Sequence, residues 1–187
     1  MKANKILARL APQSWDDESQ TVDAILSTGA GVKRRDTAGV YTEFLDIDAS
    51  TVADLPPLLD SHRSQSLADL LGRVFDVRKE NGKLIAKLHI DRPEIAARVR
   101  SGVIRDVSVG YTTTGVTERT DPKTRVRSKT ARVHVIEASL VTIPADNGAQ
   151  VRSNPMKKKQ GADPALENDE TPEGAVNDNA TVETRAA

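Results

Sequence analysis

The stretch GRVFDVRKENGKLIAKLHI, residues 72–90, carries a two-residue period on the far side of a turn. After Asn81-Gly82, the apolar Leu84, Ala86, Leu88 and Ile90 alternate with Lys83, Ile85, Lys87 and His89. A strand sends successive side chains to opposite faces, so this spacing makes one face apolar. Asn-Gly between two such runs signals a tight hairpin, because the favoured turn needs positive φ at both central residues. A lone hairpin is barely stable in water, so other segments have to cover that apolar face.

The sequence supplies several. TVDAILST (21–28) and YTEFLDI (41–47) are short β-branched or apolar runs bounded by Gly, Asp and Ser. DRPEIAARVRSG (91–102) predicts one short helix. Asp91 is placed to cap it, Pro93 suits its first turn and Gly102 its end. Ile95 and Val99, four apart, give it an inner face. A strand around Ser108 follows, then a polar connection TGVTERTDPKTRVRSKT, then the long apolar run ARVHVIEASLVTIPA. No internal repeat is present. The expected class is mostly β with a few helices (α+β), as an antiparallel barrel or sandwich with inserted helices.

Composition changes near residue 152. From Met156 onward there are four basic and seven acidic residues and few apolar ones. Such a stretch cannot bury enough apolar surface to offset chain entropy, so a disordered acidic tail or linker is expected. The expected division is an N-terminal arm over 1–14, a domain over 15–152 and the tail over 153–187. Across the whole chain 27 basic residues balance 27 acidic ones, which argues neither for nucleic acid nor for an anionic membrane as partner. There is no cysteine, hence no disulfide framework, thiolate metal site or cysteine nucleophile. No apolar run approaches the roughly 20 residues that span a bilayer, and MKANKILARLAPQSW lacks the apolar core of a signal peptide. A soluble, intracellular protein is the expectation.

Three residues stand out chemically. His62 leaves the apolar segment LPPLL into a Ser-rich loop. Ser108 sits between Val107 and Val109 in a strand, with Gly110 leaving room beside it. Glu137 is a carboxylate within an apolar run. Each has a plain alternative: a loop histidine without a role, a core serine bonded to a carbonyl, a strand carboxylate facing solvent. The segment around Ser108 is not the Gly-x-Ser-x-Gly elbow of α/β hydrolases, because Val107 replaces the glycine and no helix follows. Together, however, the three fit one scheme. A serine hydroxyl is a weak nucleophile until a histidine takes its proton, and that histidine needs a group to fix its tautomer. His89, opposite the apolar face of its strand, reads as a surface residue. No cofactor is expected. A metal hydrolase using Asp60, His62 and His134 lacks a third strong ligand beyond chance spacing.

In order and spacing, LLDSHR, LGRV, GVIRDVSVGY and EASLVTIPADNGAQV resemble the tailed-phage prohead protease family, over roughly residues 15–152. That family cleaves scaffold and capsid segments during procapsid maturation and is related to the herpesvirus assembly protease. The resemblance implies a herpesvirus-protease-like closed β-barrel surrounded by helices. It implies a serine endopeptidase with His62 as base and Ser108 as nucleophile. In the herpesvirus relatives the third member is a second histidine heading a strand like EASLV, and Glu137 holds that place here. His134 is the rival; in an unbroken strand it and Glu137 would face opposite ways. The relatives carry two arginines for the oxyanion where Ala145-Asp146 stand, so backbone N–H groups around Asp146–Gly148 become the candidates.

The implied substrates are phage scaffold and major capsid proteins, and the chain itself. The implied place is the assembling procapsid in the host cytoplasm, or the bacterial cytoplasm for a prophage. The dimeric herpesvirus relatives bring in a homo-oligomer as an open question. The competing reading is a non-catalytic capsid- or scaffold-binding module on the same barrel.

Overall fold

Residues 14–152 are described by the computed structural model. The expected tail and all but the last residue of the expected arm lie outside them. The hairpin that opens the sequence argument is present: β6 (Leu70–Glu80) turns into β7 (Lys83–Ile90) at Asn81 and Gly82, with φ of 51° and 70°. Leu84, Ala86, Leu88 and Ile90 are all buried, as the alternation requires. The other strands are β1 (Thr21–Ser27), β2 (Val32–Asp36), β3 (Gly39–Leu45), β4 (Thr51–Val52), β5 (Pro57–Asp60), β8 (Asp106–Thr120), β9 (Arg127–Val141) and β10 (Gln150–Val151).

Strand makes up 55% of the described residues and helix 8%. The sheet order is β2-β3-β9-β5-β6-β7-β1-β10-β8, and β8 pairs back onto β9. Seven strands therefore close in a ring. Leu26, Leu58, Val74, Leu88, Val107 and Val133 pack its core. The shortage of aromatic residues leaves this core to β-branched and aliphatic side chains.

The few helices expected around the sheet reduce, among the described residues, to one α-helix, α1 (Pro93–Arg100), and a 3-10 turn (Leu67–Asp69). The N-cap of α1 is Arg92 rather than Asp91, and its side chain makes no capping bond. Asp91 pairs with His89 instead, at 3.1 Å. Pro93 can begin the helix here because its missing N–H would have no partner in the first turn anyway. Gly102, at φ 72°, ends it.

The polar connection expected after Ser108 is largely strand. It is not a loop. β8 and β9 continue through it as one antiparallel hairpin of 15-residue strands, and β3 pairs in parallel with the outer part of β9. Polar residues on both faces erase the alternation that would reveal a strand, while the Thr and Val content still favours one.

The core-side face of this extension is held by charge. Asp36 accepts from Arg127 at 2.9 Å and from Lys129 at 2.7 Å, and Arg127 also reaches Glu118 at 2.6 Å. Tyr41 lies under both cations. The bonds from Arg127, then Lys129, hold the Asp36 carboxyl well below the usual carboxylate range. Tyr111 donates to Glu43 at 2.6 Å; burial first, then this bond, pushes its hydroxyl up to about 12.

A carboxyl lowered in the folded state adds stability above its unfolded pKa of about 4, and that stability is lost as pH falls toward the folded value. Asp36→Asn is therefore expected to lower Tm near neutral pH. The difference from wild type should shrink steadily below pH about 4. Paired thermal melts across that range test it, and a pH-independent difference would contradict the assignment.

Candidate active site

One irregularity in β9 creates the site. Gly110 is opposite Glu137, but the next residue, Tyr111, is opposite Val135. Ile136 is the extra residue, a β-bulge. Before it Ala131, Val133 and Val135 point into the core; after it Ala138 and Leu140 do. The bulge thus changes the phase of the strand. Glu137 and Ser139 face away from the core, and so does His134. The sequence-based expectation that His134 and Glu137 point to opposite faces fails because the strand is broken between them.

Ser108 pairs across the sheet with Ser139, and Gly110 with Glu137, so all four share this outer face. His62 arrives from β5, which runs parallel to β9 with Leu59 opposite Ser139 and Asp60 opposite Leu140. The chain then reverses. Ser61 N–H donates to Leu140 O at 3.1 Å and Arg63 N–H to Asp60 O at 3.0 Å. Ser61 and His62, the two residues inside this turn, both have positive φ, 53° and 61°. Side chains other than glycine pay about 1–3 kcal/mol in such conformations, so surrounding bonds must hold them. His62 N–H donates to Ser139 Oγ at 3.0 Å. Arg63 ties the loop to Asp60 and, at 3.2 Å, to Asp69, which also caps the 3-10 turn.

The imidazole of His62 bonds through Nδ1 to Glu137 Oε1 at 2.7 Å, while Ser139 Oγ donates to Glu137 Oε2 at 2.7 Å. A carboxylate only accepts, so Nδ1 carries a hydrogen, and in the neutral imidazole Nε2 keeps its lone pair. Both carboxylate oxygens are thereby used, which is how a buried acid is made tolerable. Ser139, fully buried, links the backbone of His62 to the carboxylate that orients its ring. Sequence reasoning missed it; the only signal was a serine two residues after Glu137, the spacing that shares a strand face.

Ser108 is 8% exposed, and its hydroxyl makes no hydrogen bond among the described residues, to His62 or otherwise. In structures without substrate, nucleophile–base contacts are commonly long and tighten when substrate binds. The space at Gly110, read from the sequence as room for substrate, is filled by Glu137. A β-carbon at Gly110 would overlap the Glu137 carboxylate.

Ala145, Asp146 and Ala149 line a small cavity of about 30 Å³ together with Ser108. The segment expected to supply oxyanion donors thus lies beside the serine. Gly148 N–H is nevertheless committed to Asp146 Oδ1 at 3.0 Å. The Asp146 carboxylate is further occupied by Thr28 and Ser27. The N–H groups of Asp146 and Asn147 make no hydrogen bond among the described residues.

The metal-site alternative is not assembled. His134 bonds to Thr51 at 2.9 Å, His62 to Glu137, and Asp60 to Ser61 and Arg63. Among the described residues no group of three or more His, Cys, Asp or Glu side chains could hold a metal ion. Nor is any helix among them long and apolar enough to cross a membrane.

The sequence model of the caudovirus prohead serine protease family matches residues 80–163. The matched segment holds Ser108, Glu137 and Ser139; His62 lies before it. No curated protein matches the chain, and no solved structure matches it. The match covers less than half of the chain, and the family it names is one of serine proteases of tailed-phage proheads.

Gly110→Ala is expected to displace Glu137 from His62, and any peptide-bond hydrolysis that depends on this pair should fall by about 10²-fold or more. Circular dichroism should stay that of the wild type. Ser139→Ala should act in the same direction, with the loss in kcat rather than KM, measured on the same substrate. Unchanged turnover in both variants would remove Glu137 from the site.

Proposed function

We propose, from the match of residues 80–163 to the caudovirus prohead serine protease family, that the protein is a serine endopeptidase of procapsid maturation whose triad is Ser108, His62 and Glu137. One observation carries the assignment: His62 Nδ1 is bonded to the buried Glu137 carboxylate on the sheet face that Ser108 shares. Nε2 takes the Ser108 proton as Oγ attacks the scissile carbonyl. The protonated imidazole then gives that proton to the leaving amine, and water releases the acyl-enzyme by the same route. Glu137 holds the ring and offsets its charge during transfer. The N–H group of Asp146, which lines the same cavity as Ser108 and is otherwise unused, and that of the next residue, Asn147, are the candidates for receiving the oxyanion.

On this reading the substrates are scaffold and major capsid segments, and the chain cleaves itself in the polar stretch after residue 152. The closed ring of seven strands supports kinship with the herpesvirus assembly protease, although the single α-helix among the described residues departs from a ring surrounded by helices. The third position is a carboxylate here instead of a second histidine. A carboxylate performs the same orienting task and adds a full negative charge against the imidazolium.

Intact mass over time, for wild type beside Ser108→Ala and with and without the cognate scaffold and capsid proteins, tests the reading. Wild type is expected to shorten itself or its partners at defined bonds, and Ser108→Ala to leave every chain whole. Equal processing by both proteins would remove Ser108 as the nucleophile, and absence of processing by wild type would favour a non-catalytic scaffold-binding module.

A further inference from the structure

The face that carries the candidate triad does not end there. It continues along the β8–β9 extension through a set of cross-strand pairs: Thr112 with His134, Gly115 with Arg132, Thr117 with Thr130, and Arg119 with Ser128. Ser128 is opposite Thr42 on β3, and Thr42 is opposite Lys33 on β2. Arg35, two residues along β2, shares the same face. The Arg132 guanidinium lies over Gly115, where a β-carbon would collide with it.

The two faces of this extension treat charge oppositely. On the core side, Arg34, Arg127 and Lys129 each have a carboxylate partner. On the outer side, Arg35, Arg119 and Arg132 are exposed and have none among the described residues, and Lys33 bonds only to the Thr42 hydroxyl. At the Arg119 end lies an open groove of about 610 Å³ lined by Phe44, Val126, Thr42, Ser128, Arg119 and Asp121, whose carboxylate accepts from the N–H groups of Lys123 and Thr124 in its own turn. Phe44 and Val126 are exposed at its floor, 39% and 52%. At about 3.3 Å per residue, Arg132 stands some 20–25 Å from Ser108 along β8 and Arg119 some 30–35 Å.

Resting on the protease reading above, we propose that this outer face is a secondary binding track for the substrate protein, taking an extended acidic segment about 6–10 residues from the bond cleaved at Ser108. Arginine forks suit carboxylates, and a line of unpaired cations on one face steers and registers an anionic chain. The apolar floor suits an aliphatic or aromatic side chain between the acids. Selection of substrate would then lie partly outside the catalytic centre. A strand surface offers little to grip close to Ser108, where Glu137 fills the space above Gly110.

The test uses the full chain with Ser108→Ala, and fluorescence anisotropy with three labelled probes of about 12 residues: a Glu-rich peptide containing two Leu, its Gln counterpart, and oligodeoxythymidine. The Glu-rich peptide is expected to bind best and to weaken as salt rises from about 0.05 to 0.5 M. Arg119→Glu with Arg132→Glu should weaken it by about tenfold or more, while Arg98→Glu on α1 should not. Equal binding of the Gln peptide, or oligodeoxythymidine binding as tightly and lost in the same variants, would overturn the proposal. In the active chain, the double charge reversal should raise KM for the cognate scaffold or capsid protein and leave kcat unchanged. Cleavage with an unaltered KM would overturn the track while leaving the protease reading intact. Absence of all cleavage by wild type would sink the protease reading by itself.

Discussion

A carboxylate buried on a sheet has to be surrounded by donors, and Glu137 organises its part of the structure around that need. Its two oxygens take bonds from His62 and Ser139. Gly110 provides the space for it, and the bulge at Ile136 turns it out of the core. Without the bulge, Glu137 would follow Val135 in phase and point inward among Val133, Val74 and Leu58, where no charge could be satisfied. The cost of burying the acid is thus offset by the same contacts that orient the histidine. Structure and chemistry share one set of bonds.

Ser139 extends that arrangement to the backbone. His62 and Ser61 occupy left-handed conformations that neither side chain prefers. The turn persists because β5 is paired to β9, because Leu140 and Asp60 accept its N–H groups, and because Ser139 accepts from His62. Arg63 locks the far side through Asp60 and Asp69. A histidine held at both its amide and its ring has little freedom to leave the carboxylate. Rigidity of this kind keeps Nε2 aimed at one place.

The extension of β8 and β9 shows how one hairpin can present two unlike surfaces. Its core-side face is a closed network of ion pairs around Asp36 that ties β2, β8 and β9 together. Its outer face leaves arginines without acids and continues directly into the candidate triad. Both follow from alternation: Lys129 and Ser128 are adjacent in sequence and point opposite ways.

The β6–β7 hairpin was legible because its Asn-Gly turn and its alternating Leu, Ala, Leu and Ile are local features, decided by φ preferences and by burial of one face. The candidate residues His62, Ser108 and Glu137 were legible as chemistry and by resemblance. Their shared face was not. It depends on one inserted residue in β9, and a bulge leaves no period in the sequence to detect. The polar strands near Arg119 and Arg127 were hidden for a related reason, since a sheet edge wet on both faces has no hydrophobic pattern. By itself the sequence determined a largely β chain, the tight turn at Asn81-Gly82 and a polar stretch after residue 152, all consequences of short-range preference and composition. Only the tertiary structure decided that Glu137 rather than His134 meets His62, and that Ser139 joins them. Those outcomes turn on cross-strand register, which is set by pairing between segments far apart in the chain.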